Sequence, residues 1–513
     1  MLSVTNTLFH RLAYRTINHY MKTYLSIFAI FVVNLIFSQS LTAKIVDSEN
    51  NPIPFATVQT GEHSGVITNE EGFFTIYLKD LASNELNFSC LGFASRTVTI
   101  DDIKSNNNSV VLEEFINELG KVFLSSTTPN ADDIIQKVNR NLAKNYNNEN
   151  QTYNFFHRNT TYADFDRFEV KITKASGMQK KQHESVNKSL DSLTQNIINS
   201  NTVYFQDYLG DLMIENRKVA KLKIHKATSL VDKNKDFSLD NVQTKAQDLI
   251  LKYLDTTLIY KLKTGIIKVE DSLSLKSNNE KYNNKKKDVY DVKNLKGETH
   301  GLIHDAQTYD DSFLKKIINP GLYNYDFVDV TGFNGELVYI IAFKPRKSKS
   351  KYAGKLYITD ETYAVIKLDY DYGKGKRGEK FNLKLLLGIK YEENINKGTI
   401  IFQRTADSTY VTKYINQEEG RYFYVNRPIK FIENSRDKNI VSFNFLIEGS
   451  ARSKQELFII SNTTLNKTDF DAYVELEDVP YQKLNTYDPS IWKSYNAIEP
   501  LEEMKRFKSS EGN

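Results

Sequence analysis

The stretch "GKLYITDETYAVIKLDYDYGKGKRGEKFNLKLLLGIKY", residues 354–391, decides the kind of fold that the second half of the chain adopts. Apolar and polar residues alternate along it, which is the period of a half-buried β-strand. Its residues 373–378, GKGKRG, also spell the glycine fingerprint of a dinucleotide-binding loop. That fingerprint needs a helix directly after the loop. The residues that follow alternate like another strand. We therefore interpret 373–378 as a flexible, basic hairpin loop, whose three cations are a candidate contact for an anionic surface.

The same alternation recurs from about residue 322 to residue 449, in segments of strand length whose joints hold Gly, Asn, Asp or Lys. Long alternating strands favour an antiparallel sheet with one covered face and one face that meets solvent or a ligand. We expect this sheet to be a curved β-meander. Residues 276–288, KSNNEKYNNKKKD, are of low complexity and are predicted to form a mobile loop.

Three amphipathic helices are predicted before the meander and would cover its sheet. The first follows a polar linker at 125–133, and its acidic start suits the positive end of a helix. The apolar positions of the first helix are 134, 135, 138 and 142, those of the second are Val186, Leu190, Leu193 and Ile197, and the third spans 241–255.

The pattern of the N-terminal part of the chain, residues 41–125, predicts short strands separated by turn residues. "GVITNEEGFFTIYL" places Gly72 at the end of a turn where a positive φ is favourable, and Gly92 bends a later strand pair. Strands this short and evenly spaced, with no helical period, predict a small β-sandwich. Asn69, Glu70 and Glu71 are better interpreted as a solvated turn than as a calcium site, which needs six or more oxygen ligands.

These residues resemble a known family. The resemblance rests on "PIPFATV" (52–58), Thr68-Asn69 with Gly72-Phe73, and Phe88-Ser89 with Gly92-Phe93. Together they are similar to the carboxypeptidase regulatory-like domain, a transthyretin-like sandwich of seven strands found at the front of envelope proteins from Bacteroidetes. The resemblance implies an accessory module over residues 39–126, without catalytic residues of its own.

The remaining residues, 127–513, are expected to form one larger unit. Its meander part, from about residue 322, resembles the soluble part of a large Bacteroidetes envelope family that also carries this domain and continues into an outer-membrane barrel. The likeness lies in "INPGLYNYDFVDV", "YIIAFKPR" and "YAGKLYITDETYAVIKLDY". "YDPSIWKSYNAIEP" (487–500) is similar to the ending of shorter relatives that lack the barrel. We therefore expect no membrane insertion. At the level of fold alone, the sheet is also similar to half-barrel lipoprotein carriers.

Residues 21–40, MKTYLSIFAIFVVNLIFSQS, are typical of a secretory signal, with a lysine before an apolar run. Spanning a bilayer takes about 20 apolar residues, and this run is shorter. We expect residues 1–38 to be a signal-peptide region, with Met21 as the true start and cleavage near Gln39. An uncleaved anchor is the alternative. No later apolar run approaches spanning length, so the exported protein is expected in the periplasm or at the outer membrane.

The net charge and the positions of the histidines argue against two classes of function, nucleic-acid binding and zinc peptidase activity. Residues 1–38 hold three cations and no acid, so the net charge of +4 falls to +1 on export. A net charge this small disfavours nucleic-acid binding, which needs a concentrated basic face. None of the eight histidines starts the H-x-x-E or H-E-x-x-H pattern of a zinc peptidase. His300 and His304 share a helical spacing but lack a third ligand, and two ordinary polar histidines are favoured over a metal site.

Two further features have both a structural and a functional interpretation. Cys90 lies in an apolar alternation, and a small buried thiol is favoured over a reactive one. Tyrosines form two candidate platforms for sugar rings or acyl chains, and cross-strand aromatic packing is the favoured alternative. These platforms are Tyr357 with Tyr363 and Tyr370, and Tyr422 with Tyr424.

The sequence thus predicts an α+β protein, with a seven-stranded β-sandwich followed by a larger unit with a curved antiparallel sheet and a few helices. We expect a non-enzymatic envelope protein with no catalytic, cofactor or metal site, which binds a protein, lipid or glycan. The alternatives are a carrier of a hydrophobic ligand or, less favoured, a hydrolase. An apolar cavity beneath the sheet would favour the carrier, and a polar cleft with convergent acids of perturbed pKa would favour the hydrolase.

Overall fold

In a computed structural model of the protein, the described residues are 40–61, 65–81, 83–115, 129–146, 150–200, 202–232, 251–265, 267–275, 288–492, 495 and 497–510. The chain forms two compact units. The first consists of Met1–Cys90, Ser95–Glu113 and Trp492–Glu499, and the second of Leu91–Ala94, Glu114–Ile491 and Pro500–Asn513. The first unit therefore includes a short segment from near the C-terminus.

The first unit is a β-sandwich of seven short strands. They are β1 (Ser40–Val46), β2 (Thr57–Gln59), β3 (Gly65–Ile67), β4 (Phe73–Tyr77), β5 (Glu85–Ser89), β6 (Arg96–Thr99) and β7 (Ser109–Val111). One sheet has the order β4-β1-β7 and the other β3-β2-β5-β6. Phe74 and Phe88, one from each sheet, are fully buried and meet edge to face, with ring centroids 5.8 Å apart. A 3₁₀ turn (Leu78–Asp80) and helix α1 (Ile100–Ser105) complete the unit.

The predicted turn before β4 is confirmed. Gly72 has φ +78°, and a Cβ there would lie 2.7 Å from the carbonyl oxygen of Ile45. Asn69 is buried, which differs from the solvated turn that we expected. Its Oδ1 accepts hydrogen bonds from the backbone N–H groups of Glu71 (3.0 Å) and Phe73 (2.9 Å). Asn69 therefore shapes the turn from inside.

The second unit is built on one large, curved sheet of fourteen strands. Its main path runs β14-β15-β16-β17-β19-β20-β21-β8-β9-β10-β23, while β11 pairs with β20 and β12, and β18 pairs with β19. Every pair along this path is antiparallel except β10–β23. The strands of the unit are β8 (Gln151–Ala175), β9 (Thr202–Glu215), β10 (Val219–Leu230), β11 (Ile259–Thr264), β12 (Ile267–Ser274), β13 (Val289–Asp291), β14 (Tyr323–Phe333), β15 (Glu336–Pro345), β16 (Tyr352–Thr359), β17 (Val365–Tyr372), β18 (Lys380–Leu383), β19 (Ile389–Arg404), β20 (Tyr410–Glu433), β21 (Ile440–Thr464), β22 (Asp478–Pro480) and β23 (Gln482–Leu484).

Helices cover parts of this sheet. They are α2 (Ala131–Asn145), α3 (Lys180–Ile198), α4 (Val292–Asp305), α5 (Phe313–Ile317), α6 (Lys384–Leu387), α7 (Lys467–Ala472) and α8 (Glu502–Lys505). Buried side chains of α2, α4 and α5 belong to one apolar cluster with side chains of β14–β17 and β19. Leu190 and Ile197 of α3 join a second cluster with Phe443 and Phe445 of β21. No helix within the described ranges is both long and apolar enough to cross a membrane.

The predicted fold class, α+β with a sandwich before a curved antiparallel sheet, is confirmed. The four apolar residues of the first predicted helix are all buried in α2, and the second predicted helix corresponds to α3. The side chain of Leu193, residues 241–250 of the third predicted helix and residues 276–287 of the predicted loop lie outside the described residues. Helix α4 was not predicted as a covering element.

Two strand predictions were wrong in detail. Alternation in the sequence predicts two strands, YNFFHRN and FEVKITKAS, yet both lie in the single strand β8. The alternation in KFNLKLLLGIKYEE, residues 380–393, likewise predicts one strand, whereas the structure has β18 and β19 separated by helical turn α6. Three consecutive leucines break the alternation there, and Gly388 ends the turn with φ +65°.

Candidate functional site

Loop 373–378 lies between two strands, as predicted, but it is not a hairpin loop. It leaves β17 and enters β18, and these two strands do not pair with each other. Instead, both pair with β19, residues 367–370 opposite 398–401 and residues 380–383 opposite 389–392. The backbone N–H of Gly378 donates to the Glu393 carbonyl at 2.9 Å, which holds the end of the loop against β19. A strand therefore follows the glycines, where a dinucleotide site requires a helix.

Directly after this loop lies the most exposed apolar segment among the described residues. We call residues 380–387, formed by β18 and α6, the leucine tip. Leu385 is fully exposed and Leu386 is 82% exposed, while Phe381 and Leu383 are also exposed. Gly388 is required at its end, because a Cβ would lie 2.1 Å from the carbonyl oxygen of Asn426. Exposed apolar clusters of this kind mark interaction surfaces.

Arg427 joins the leucine tip to the neighbouring hairpin β11–β12. Its Nη1 donates to the Leu387 carbonyl at 2.6 Å. Its Nε and Nη2 donate to Oγ1 and the carbonyl oxygen of Thr264, at 2.8 and 2.9 Å. One guanidinium group therefore satisfies carbonyl oxygens of both segments and fixes their positions relative to each other.

The tyrosines that were candidates for a binding platform pack against other side chains, which was the favoured interpretation. Tyr370 packs against Phe313 and Tyr352 on the helix-covered face, whereas Tyr357 points to the other face of the sheet. Tyr363 lies in a turn with φ +56° and stacks on Tyr339. Tyr422 and Tyr424 do share a face, but Lys390 and Lys384 lie over their rings, 4.6 and 3.8 Å from the centroids. Packing with aromatic rings and lysines accounts for these side chains.

A buried polar cluster links strands β8 and β9 to helix α4. His157 is fully buried, and its Nδ1 lies 2.6 Å from the Tyr208 hydroxyl and 3.1 Å from the Thr299 hydroxyl. Burial lowers the pKa of His157 to about 3, so the ring is neutral at physiological pH. Burial also raises the pKa of Tyr208 well above its usual value. Neither group changes charge near neutrality, so the cluster stabilises the fold through hydrogen bonds.

The next residue of β8 belongs to a network of charges on the opposite face. Arg158 forms a bidentate pair with Asp207, at 2.9 Å (Nε–Oδ1) and 2.7 Å (Nη2–Oδ2), and both side chains are buried. Buried Glu456 accepts a hydrogen bond from Tyr414 at 3.2 Å and pairs with Lys454 at 3.8 Å. Since a lone buried charge is strongly destabilising, these pairs keep the central strands of the sheet in register.

Two acidic side chains, Asp305 at the end of α4 and Glu419 of β20, affect the same tyrosines, and no sequence pattern reveals this. Loss of hydration raises the pKa of Asp305 and of Glu419, and the nearby charge of Asp305 raises the pKa of Glu419 further. Both carboxylates also contribute to the raised pKa of Tyr352 and of Tyr370, whose main cause is burial. Asp305 is about half exposed, so water screens these shifts. A carboxylate close to tyrosine hydroxyls can accept hydrogen bonds from a polar ligand.

The predicted histidine pair lies on α4, with ring centroids 6.2 Å apart. Nε2 of His304 faces Asp311 at 3.3 Å, and its Nδ1 faces Asp305 at 3.9 Å. Within the described ranges, no group of three His, Cys, Asp or Glu side chains is arranged to hold a metal ion. Cys90 is partly exposed, which corrects the buried thiol that its alternating context predicted.

Comparison with known families gives a match at the N-terminal end of the chain. Residues 41–124 match the family model of the CarboxypepD_reg-like domain. This match confirms the resemblance that the turn glycines and inward apolar residues of this stretch indicated. A search of curated proteins gives no match. The N-terminal part of the chain, residues 41–124, therefore carries a CarboxypepD_reg-like domain.

Proposed function

We propose that this chain is an exported, non-enzymatic envelope protein of a Bacteroidetes bacterium. It binds a protein, lipid or glycan partner in the periplasm or at the outer membrane. The observation that carries the proposal is the leucine tip, where Leu385 and Leu386 have no apolar cover. A protein rarely exposes such a group without a partner.

Export is supported by the N-terminal residues and by the matched domain. Residues 21–39 have the lysine and the short apolar run of a signal peptide, although they lie outside the described residues. The matched domain resembles the accessory module that stands at the front of exported envelope proteins. An accessory sandwich beside a larger unit fits recognition better than chemistry.

Packing of the sheet favours surface recognition over the carrier alternative. A carrier needs apolar side chains that face an open cavity. Here the apolar residues of β15 and β16, such as Ile341 and Leu356, lie in one contact cluster with Leu302 of α4 and Ile317 of α5. The hydrolase alternative has Asp305 and Glu419 as its candidate acids. Their contact with solvent leaves the pKa shifts screened, and recognition remains the better-supported proposal.

Cell fractionation with N-terminal sequencing tests the export part of this proposal. We expect the protein in the envelope fraction, with a mature N-terminus near Gln39. Val32→Asp together with Val33→Asp interrupts the apolar run and is expected to keep the chain in the cytosol.

Phe9→Asp provides the matched control. It lies before Met21 and is expected to change nothing, because translation would start after it. An intact wild-type chain that begins at Met1 and stays in the cytosol would refute export.

A further inference from the structure

Two leucines of the leucine tip have side chains that are almost entirely exposed to solvent. Leu385 and Leu386 lie in helical turn α6 between β18 and β19, and both are more than four-fifths exposed. Leu387, the next residue, has its carbonyl fixed by Arg427. The leucines therefore form a small apolar projection on a fixed base. Because such a projection can insert into a fluid phase, its partner does not need a preformed groove.

Positive charge surrounds this projection, although the whole chain is nearly neutral. Residues 374–390 contain six cations and a single acid, Glu379. Lys374, Lys380 and Lys384 are exposed. Arg377 and Lys390 are paired with Glu392 of β19, at 3.0 and 3.6 Å, so their charges are partly neutralised. The exposed lysines remain the dominant local charge.

The adjacent hairpin extends this surface. Thr264 at the end of β11 is held to Arg427, and Ile267 and Val269 of β12 are exposed. Lys261 and Lys263 lie on the same hairpin, while Lys268 is paired with Asp271 and Glu270 lies between them in the sequence. Apolar and basic residues therefore occur together on both segments that Arg427 links.

A second exposed apolar segment lacks the positive charge that lies around the leucine tip. Val474 and Leu476 are 82% and 59% exposed. They alternate with Glu475, which is paired with Lys296, and with Glu477, and Asp478 follows, so the segment itself is acidic. Similar apolar exposure thus occurs in two opposite electrostatic settings within one unit.

We infer that the leucine tip is a docking site for an anionic lipid surface. Leucine side chains enter the boundary between headgroups and acyl chains, while lysines beside them bind lipid phosphates. Neither contribution is sufficient alone, and their combination gives reversible attachment. This inference rests on the proposed function, for which it names the partner.

Vesicle flotation tests the inference directly. The full chain is mixed with vesicles of phosphatidylcholine and phosphatidylglycerol, or of phosphatidylcholine alone. We expect flotation with the anionic vesicles only. Raising the salt from 0.1 M to 1 M shortens the screening length from about 10 Å to about 3 Å and should release the protein.

Variants identify the residues responsible. Leu385→Ser with Leu386→Ser is expected to weaken vesicle binding by at least about tenfold, through the lost apolar burial. Lys374→Gln with Lys380→Gln should weaken it by about fivefold per lysine. The matched control, Val474→Ser with Leu476→Ser, removes equivalent exposed groups from the acidic segment and should bind like wild type. Circular dichroism confirms that each variant is folded.

Three results would overturn the inference: no flotation of wild type with anionic vesicles, equal flotation with neutral vesicles, or undiminished binding by the tip variant. One further result separates the inference from the proposed function. If the tip variant leaves the envelope in cells while the wild type does not bind vesicles, the partner is a protein or glycan. Recognition through the tip would then stand, and the lipid assignment would fall.

Discussion

At the scale of single residues, neighbours in the sequence have unrelated tasks. His157 and Arg158 are adjacent in β8, and strand geometry turns them to opposite faces of the sheet. The histidine is buried as a neutral ring beside Tyr208, and the arginine as a charge paired with Asp207. Both are polar residues within an alternating segment. Only their tertiary partners separate the two roles.

Titration of His157 predicts a loss of stability in acid. Its pKa is about 3 in the folded protein and close to 6.5 when unfolded, so the unfolded chain binds the additional proton between these values. Stability from this residue is complete above pH 6.5 and falls by about 1.4 kcal/mol per pH unit below it, until about pH 3. His157→Gln removes the ionisable ring and should make the free energy of unfolding less dependent on pH. Urea unfolding of both proteins at several pH values measures this, and parallel profiles would contradict it.

At the scale of elements, the sequence predicts those elements whose start and burial depend on neighbouring residues. Helix α2 begins at Ala131 because the Asn130 side chain accepts hydrogen bonds from the N–H groups of Asp132 and Asp133, at 2.9 and 3.3 Å. The two aspartates also suit the positive end of the helix. The apolar stripe then buries Ile135 and Val138 completely. The capping residue, the acidic first turn and the apolar stripe all indicate a helix at this place, so the sequence predicts α2.

Removal of this cap should weaken the second unit. Asn130→Ala is expected to lower the free energy of unfolding by about 1 kcal/mol, since donors at the start of α2 lose their partner. Asn130→Asp keeps an equally good acceptor and serves as the control. Denaturant unfolding followed by circular dichroism compares the three proteins. An alanine variant as stable as wild type would show that the cap contributes nothing.

Elements that depend on distant partners were harder to predict. The tip interrupts 380–393, because Gly388 must approach the backbone of Asn426 in another strand. Strand β8 continues for 25 residues because β21 pairs with it along almost its whole length. The acids Asp305 and Glu419 are 114 positions apart, as their residue numbers show, and no spacing rule connects them.

At the scale of the whole molecule, the matched domain includes a segment that its own sequence cannot supply. Trp492–Glu499 belongs to the first unit. The Glu499 carboxylate accepts a hydrogen bond from the Thr75 hydroxyl at 2.6 Å, and its carbonyl accepts one from the Asn69 side chain at 3.2 Å. The C-terminal segment is therefore part of the sandwich.

A fragment experiment tests this completion. Residues 39–126 should fold alone as a β-domain, because all seven strands of the sandwich lie within them. A peptide of residues 487–500 should bind the fragment and raise its melting temperature by a few degrees. The same peptide with Glu499→Ala is the control and should have a smaller effect. A disordered fragment would refute the autonomous domain, and equal effects of both peptides would refute the role of Glu499.

The sequence by itself determined the fold class, the matched N-terminal domain and the cores of helices α2 and α3. Each of these follows from periodicity or turn chemistry within a short window. Only the tertiary structure decided that β8–β10 join the meander in one sheet, that GKGKRG leads to an exposed leucine tip, and that residues 492–499 complete the sandwich. These outcomes depend on contacts between backbone groups and side chains that are distant in the sequence. A local pattern does not identify such distant partners.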